Sequence, residues 1–364
     1  MKTVLILNYN LRKGGAERIV VELANGLAKR YKVILCNITV YNPYNSYVFD
    51  VSKDVKLLEL NCKSGLNPLA YIKVATLIHK LKPHIVHCHC DMSLIFVPLV
   101  LNKRSTKFIH TLHNVAEEAI RFKGLKSLYR YFYEYHVTSV VISQFCQNTY
   151  ADFYGLQNSI LIVNSRSKME LSDKISFVET EILNLKPVKE SKVFIHVARF
   201  APRQKNHILL FNSFIQLKME YREIVLLVVG EGYGEMSAEL KIEYSKADIF
   251  FIGSKINVAD YLYFSDYFVL SSIFEGLPVS LIESMSFGLI PICTPAGGIV
   301  DVIDESSNIG YISAGFTQED YYKSLRAAYL NEKNINPIDV VDFYNENFSF
   351  SNFIDAHQQL YETS

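Results

Sequence analysis

The chain has 364 residues, 49% of them hydrophobic, and Lys+Arg and Asp+Glu both total 37, so its formal net charge is zero. That length suits two domains of ordinary size with substantial cores. The charge balance argues against wholesale nucleic-acid binding, while leaving room for a local basic patch. Six cysteines (Cys36, Cys62, Cys88, Cys90, Cys146 and Cys293) are scattered along the chain, mostly inside apolar runs, unlike the dense pattern of a small disulfide scaffold.

The first apolar run, "TVLILN" (3–8), is too short for a signal peptide or a membrane span, and so is "LIFVPLVL" at 94–101. A soluble, cytoplasmic protein is expected. The run reads instead as a strand, followed by Gly14 and Gly15 and a helical pattern over 16–30. Paired glycines at that point let backbone N–H groups approach a phosphate or an acceptor closely. A G-x-G-x-x-G fingerprint is absent, which argues against a dinucleotide-dependent dehydrogenase.

Further strands are predicted at 32–38, 55–60, 84–90, 107–113, 139–143 and 160–164, with helical spacing at 68–82. The strand at 84–90, "HIVHCHC", has the composition of a zinc site. Side chains alternate across a strand, so His87 and His89 point to one face and Cys88 and Cys90 to the other. Four ligands on opposite faces cannot close one tetrahedral zinc, and no metal is expected. His89, nearest the carboxyl end, is placed either to line an acceptor cleft or to support the fold. The segment 120–135 sets Arg121, Lys123, Lys126 and Arg130 among Phe122, Leu125, Leu128, Tyr129 and Phe132. A basic, aromatic helix of that kind either lies on an anionic membrane surface or packs on its own sheet with a solvated basic face.

Residues 165–190 are polar and read as a domain crossing. A second strand series follows at 192–200, 224–232, 248–254, 266–272 and 289–294, and the chain closes on a helical segment at 348–364. Near-continuous Val/Ile/Leu strands alternating with helices imply parallel sheets covered on both faces. The expected architecture is α/β, with two Rossmann-like βαβ domains facing a central cleft. The first spans 1–170, the second 187–347, and the terminal helix 348–364 packs back on the first. Ligands of such sheets bind outside the carboxyl ends of the strands.

After the strand at 266–272 comes "IFEGLPVSLIESMSFGLIPICT", with Glu275 and Glu283 separated by seven residues. Gly276 permits a tight turn and Pro278 suits the first helical turn. The helix should run from about Pro278 to Phe287, with Gly288 ending it. Two carboxylates flanking exposed backbone amides suit a phosphate-bearing polyhydroxyl ligand, although the spacing alone is served as well by two solvated acids around a helix start.

This segment resembles the E-x7-E signature of retaining GT-B glycosyltransferases of family 4. Further elements fit in the same order over the whole chain: "GGAER" (14–18), "HTLHN" (110–114), "VARFAPRQKNHILLFNSF" (197–214), "VVGEGYG" (228–234), "FFIGS" (250–254) and "PAGGIVDVI" (295–303). The resemblance implies transfer of a hexose-type sugar, with retention of configuration, from a UDP- or GDP-linked donor to a glycan or polyprenyl-linked acceptor in surface polysaccharide biosynthesis. Arg199 and Lys205 then match the diphosphate-binding pair, with Arg203 a rival for Lys205. Glu283 matches the ribose ligand and Glu275 the donor-sugar contact, with amides near Gly276 and Leu277 helping and backbone around Gly253–Ile256 framing the base. His113 matches a cleft histidine near the donor sugar, whereas His110 is expected to pack. The family generally works without a bound metal ion, and the protein's task is to stabilise the departing diphosphate. Relatives often carry Asn-Gly after the last N-terminal strand. Here Asn164-Ser165 stands instead, and no ligand turn is assigned. The alternatives are a nucleotide-sugar epimerase of the same fold and a catalytically silent nucleotide-sugar-binding protein. The four cations Arg121, Lys123, Lys126 and Arg130 would supply peripheral contact with the inner face of the plasma membrane.

Overall fold

A computed structural model describes residues 1–65, 67–101, 106–304 and 306–363. The chain divides into two compact units, one made of Met1–Ser167 with Phe350–Ser364 and the other of Lys168–Ser349.

The first unit holds seven parallel strands: β1 (Thr3–Asn8), β2 (Lys32–Thr39), β3 (Lys56–Cys62), β4 (Ile85–Cys88), β5 (Lys107–Leu112), β6 (Thr138–Val141) and β7 (Ile160–Leu161). Their order is β3-β2-β1-β4-β5-β6-β7. The second unit repeats the plan with β8 (Lys192–Val197), β9 (Ile224–Val229), β10 (Ile249–Gly253), β11 (Tyr267–Leu270), β12 (Ile290–Cys293) and β13 (Tyr311–Ile312), in the order β10-β9-β8-β11-β12-β13. Both sheets therefore wind outward in two directions from a central pair. The chain reverses direction between β1 and β4 in one unit and between β8 and β11 in the other, which opens a crevice at the carboxyl ends of each pair.

The central strands are buried on both faces: Val4 to Leu7 of β1 and Val193 to Ile195 of β8 are each 0% exposed. Such strands are apolar along their whole length and turn polar only where the sheet ends. Helices cover the faces in the expected way. The helix Gly15–Leu27, for example, buries Ile19, Val20, Leu23, Ala24 and Leu27 along one stripe.

Several boundaries differ from the sequence expectation, each for a local reason. β4 stops at Cys88, so His89 and Cys90 lie just past it. β6 stops at Val141, because Ser143 caps the next helix by accepting a hydrogen bond from the Cys146 amide. β7 is a two-residue edge strand with both side chains exposed, which gives the rest of "ILIVN" no sheet to pair with. The crossing segment contains a helix, Ile175–Leu185, that buries Val178 and Ile182. The basic segment 120–135 is not one helix. A 3-10 turn at Lys123–Leu125 precedes the α-helix Lys126–Tyr135, so Arg121 and Lys123 stand outside it.

The terminal helix Phe350–Glu362 belongs to the first unit and buries Phe353, Ile354, His357, Leu360 and Tyr361 there. Gly26 makes the docking possible: a Cβ at that position would lie 2.4 Å from Ile354 Cδ1. Arg30 pairs with Asp355 at 2.6 Å, and Lys107 Nζ donates to the Leu360 and Thr363 carbonyls at 2.6 Å each, filling acceptors that a helix end leaves open. Among the described residues, no helix is long and apolar enough to cross a membrane. Ile354→Ala should lower stability by about 2–4 kcal/mol, the cost of emptying a buried aliphatic site, measured by urea denaturation followed by circular dichroism.

Candidate active site

In the second unit the crevice between β8 and β11 gathers the loop after each strand. On the β9 side of β8 backbone comes so close that glycine is obligatory. Gly230 after β9 has φ +155°, and a Cβ on it would sit 1.9 Å from the Ala198 carbonyl oxygen. The chain then makes one helical turn, Pro202–Lys205, and Asn206 in the left-handed region starts the helix His207–Glu220.

Lys205 reaches across to the loop after β11. Its Nζ lies 2.5 Å from Glu275 Oε1. Ser272 Oγ donates to the same oxygen at 2.6 Å, and Gln204 Nε2 donates to Oε2 at 3.3 Å. The two loops are also laced by backbone. The Ile273 amide donates to the Gln204 carbonyl at 2.7 Å, and Ser271 Oγ donates to the Lys205 carbonyl at 2.8 Å. Glu275 is 6% exposed, and these donors supply the hydrogen bonds that a buried carboxylate needs. Gly297, at φ +58°, closes over it, because a Cβ there would lie 1.8 Å from the Glu275 carbonyl oxygen. The Gly298 amide donates to the Gly276 carbonyl at 2.8 Å. Leu277 is buried, and the helix after Pro278 runs from Val279 to Met285 with Glu283 half-buried on it. It is shorter than the sequence reading of Pro278 to Phe287, and Gly288 follows at φ +75°.

Other second-unit residues singled out in the sequence lie around this centre. Arg199 is exposed just past β8, and Arg203 is exposed on the short helical turn. Lys205, and not Arg203, is the cation that meets Glu275. Gly253 ends β10 at φ +78°, and Ile256 beyond it is 86% exposed. Ser272, Gln204 and Gly297 were missed as parts of the site. Ser272 lies three residues before Glu275, whereas Gln204 reaches it only through the β8–β11 adjacency and Gly297 only through the β11–β12 adjacency, which no spacing in sequence signals.

In the first unit the corresponding crevice, beyond β1 and β4, is an open pocket of about 590 Å³. Tyr9 and Asn10 line it after β1, His89 and Asp91 after β4, and His113 after β5. Asp91 is a structural knot: it accepts from the Ser93 amide at 2.9 Å, the Arg121 amide at 3.0 Å and the Tyr129 hydroxyl at 2.8 Å. Arg121 Nη1 donates to the Tyr9 hydroxyl at 3.3 Å, so this cation faces the pocket rim. His110 donates from Nε2 to the Cys90 carbonyl at 2.9 Å and accepts from the Tyr133 hydroxyl at 2.7 Å. It is a core residue, and burial lowers its pKa to about 4. Gly14 is extended, a conformation open to any residue, and a Cβ there would meet the Glu17 carboxylate at 2.3 Å. Gly15 is the first residue of the helix behind it.

The "HCHC" side chains sort as their alternation requires. The His87 and His89 rings lie 4.1 Å apart by centroid on one side, and Cys88 and Cys90 place their Sγ atoms 3.5 Å apart on the other. Among the described residues, no group of three or more His, Cys, Asp or Glu side chains is arranged to hold a metal ion.

The Lys205–Glu275 pair is buried enough for its loss to register in stability. Lys205→Met leaves the Glu275 charge short of a partner and should cost about 2–3 kcal/mol. Adding Glu275→Gln should return most of that loss, a coupling read from a double-mutant cycle in urea.

Comparison with known proteins agrees with this geometry. The family description "Glycosyltransferase Family 4" matches residues 13–164, and "Glycosyl transferases group 1" matches residues 178–338. An uncharacterized glycosyltransferase of Methanocaldococcus jannaschii is 27% identical over 332 residues, covering 81% of this chain and 80% of the relative. The N-acetylgalactosamine-N,N'-diacetylbacillosaminyl-diphospho-undecaprenol 4-alpha-N-acetylgalactosaminyltransferase of Campylobacter jejuni is 24% identical over 318 residues, covering 81% of each chain. Among solved structures, HepE of Anabaena in complex with UDP-glucose superposes with a TM-score of 0.79 at 15% identity, covering 99% of both chains. With two doubly wound parallel sheets, a switch-point site in each, and family matches along most of its length, this chain belongs to the family 4 glycosyltransferases of GT-B fold.

Proposed function

We propose that the protein is a retaining hexosyltransferase that moves a sugar from a UDP- or GDP-linked donor to a glycan or polyprenyl-diphosphate-linked acceptor in surface polysaccharide synthesis. The observation that carries the reading is the Lys205–Glu275 pair at the β8–β11 switch point. The lysine's charge is paired with the carboxylate. A diphosphate can draw Lys205 away, and a sugar hydroxyl can then donate to the carboxylate oxygen that Lys205 leaves. One ion pair is thus exchanged for two ligand contacts, so the site is poised for a molecule carrying both groups.

On this reading Arg199 and Lys205 hold the diphosphate, and Glu283 takes the ribose hydroxyls. Glu275 meets the sugar beside the Gly276 and Leu277 amides, and backbone from Gly253 to Ile256 frames the base. The bond from the anomeric carbon to the diphosphate breaks, and the acceptor oxygen bonds to that carbon on the same face. The acceptor's proton passes to the leaving phosphate. Arg199 and Lys205 stabilise the charge that develops there, the task a metal ion performs in other transferases. The acceptor lies against the first unit, near Gly14 and Gly15, and His113 stands near the donor sugar. The Campylobacter relative is named for a diphospho-undecaprenol-linked acceptor, and HepE was crystallised with UDP-glucose, which supports both halves of this reading.

Contact with an anionic membrane is part of the proposal, although the cations are not its strongest support. Lys123 pairs with Glu117 at 3.1 Å, Lys126 sits over the Phe153 ring at 4.3 Å, and Arg130 approaches Glu134 at 3.8 Å. The apolar neighbours support it better. Val100 and Leu101 on the helix Phe96–Leu101 are 69% and 73% exposed, and Leu128 and Tyr131 on Lys126–Tyr135 are exposed too. The two helices touch through Phe96 and Phe132, whose rings stack at 4.7 Å. Substituting Val100 and Leu101 by serine should abolish binding to anionic liposomes at low salt, measured by co-sedimentation.

A nucleotide-sugar screen by thermal shift, followed by transfer assays, tests the central claim. Glu275→Ala and Lys205→Ala should each lower kcat/KM by about 10²–10³, excess EDTA should leave the rate unchanged, and product NMR should show the donor's anomeric configuration. Unchanged turnover in both variants would sink the assignment.

A further inference from the structure

The first-unit pocket has a wall that the transfer chemistry leaves unexplained. His89, 7% exposed, places Nδ1 2.8 Å from His113 Nε2, and both rings line the pocket. Two neutral imidazoles at that distance share one hydrogen bond, so their tautomers are locked together. If His89 carries its proton on Nδ1, His113 must carry its own on Nδ1. If His113 donates from Nε2, His89 must be protonated on Nε2. The outer nitrogens, His89 Nε2 and His113 Nδ1, are buried and without a hydrogen-bond partner among the described residues. In either arrangement the pair therefore ends in one unfilled donor and one unfilled acceptor. A buried group left so is costly, and a native fold keeps it where a ligand or water completes it.

The surroundings keep the pair uncharged. Burial lowers the His113 pKa to about 3 and holds His89 well below its ordinary value. His87 on β4, His110 on β5 and His357 on the terminal helix all oppose a positive charge on His89. Asp91 is the nearest acid after β4, and its oxygens are occupied by Ser93, Arg121 and Tyr129. From behind, His87 is fixed between the Tyr361 hydroxyl at 2.7 Å and Thr111 Oγ1 at 2.8 Å, and its ring backs His89.

We propose that His89 is a positioning residue: by sharing one hydrogen bond with His113 it fixes a neutral two-ring unit whose ends offer a donor and an acceptor to sugar hydroxyls, and not to phosphate. The identity of the ligand as a sugar rests on the transfer reading above, whereas the coupling of the rings does not.

The test uses the full chain labelled with ¹⁵N-histidine. Long-range ¹H–¹⁵N spectra between pH 5.5 and 8 should show His89 and His113 neutral and protonated on the same nitrogen type. N-acetylglucosamine, added at high concentration, should shift both rings, and inorganic phosphate at the same concentration should not. His89→Phe should release the His113 tautomer and weaken the sugar response about 10-fold. His89→Asn, whose amide can replace Nδ1, should restore it to within about threefold. Opposite tautomers, a charged ring in that range, a phosphate response, or no response to the sugar would each overturn the proposal. None of these readouts needs turnover, so their failure leaves the transfer reading standing, and a failure to find transfer leaves the ring coupling standing.

Discussion

A parallel strand sealed by helices on both faces can turn polar only where the sheet ends, and the placement of chemistry in this protein follows from that constraint. β1 is apolar from Val4 to Leu7 and β8 from Val193 to Ile195, and polar groups follow toward the two crevices. The crevices differ in electrostatic character. Beyond β8 and β11 the site is charged, an ion pair buttressed by Ser272 and Gln204. Beyond β1 and β4 the carboxylate of Asp91 is tied up by Ser93, Arg121 and Tyr129, and it stands beside His89 and His113, which burial keeps neutral.

Much of this was legible in the sequence. The strand runs were visible because doubly covered strands are uninterrupted Val/Ile/Leu, and the Glu275–Glu283 segment was visible because Gly276, Pro278 and Gly288 punctuate it. The alternation in "HIVHCHC" correctly sorted rings from thiols. What escaped depends on adjacency between strands distant in sequence. Lys205 stood out in the sequence, but its union with Glu275 exists only because β8 lies beside β11. The His89–His113 contact exists only because β4 lies beside β5, and a strand pattern read alone assigns His89 to a face without naming its neighbour. The segment 120–135 misled for another reason. Its charges and aromatics have helical spacing, but Phe122 through Leu125 take a tighter turn, and Arg121 is held back by its amide bond to Asp91.

Glycine is used sparingly and for space. Gly230 and Gly297 let backbone press on backbone beside the charged site, and Gly26 lets one helix settle on another. At the first two a side chain would collide with the backbone of the loops that carry Lys205 and Glu275, so the precision of the site is set partly by residues that bear no functional group.

The return of the terminal helix to the first unit has a consequence for how the protein is made. Its last residues cover the sheet that its first residues begin, with the whole second unit threaded between them. On the ribosome the second unit can close while the first still lacks its Phe353–Tyr361 cover, leaving that apolar face open until those residues emerge. The unit translated first is the last to be completed.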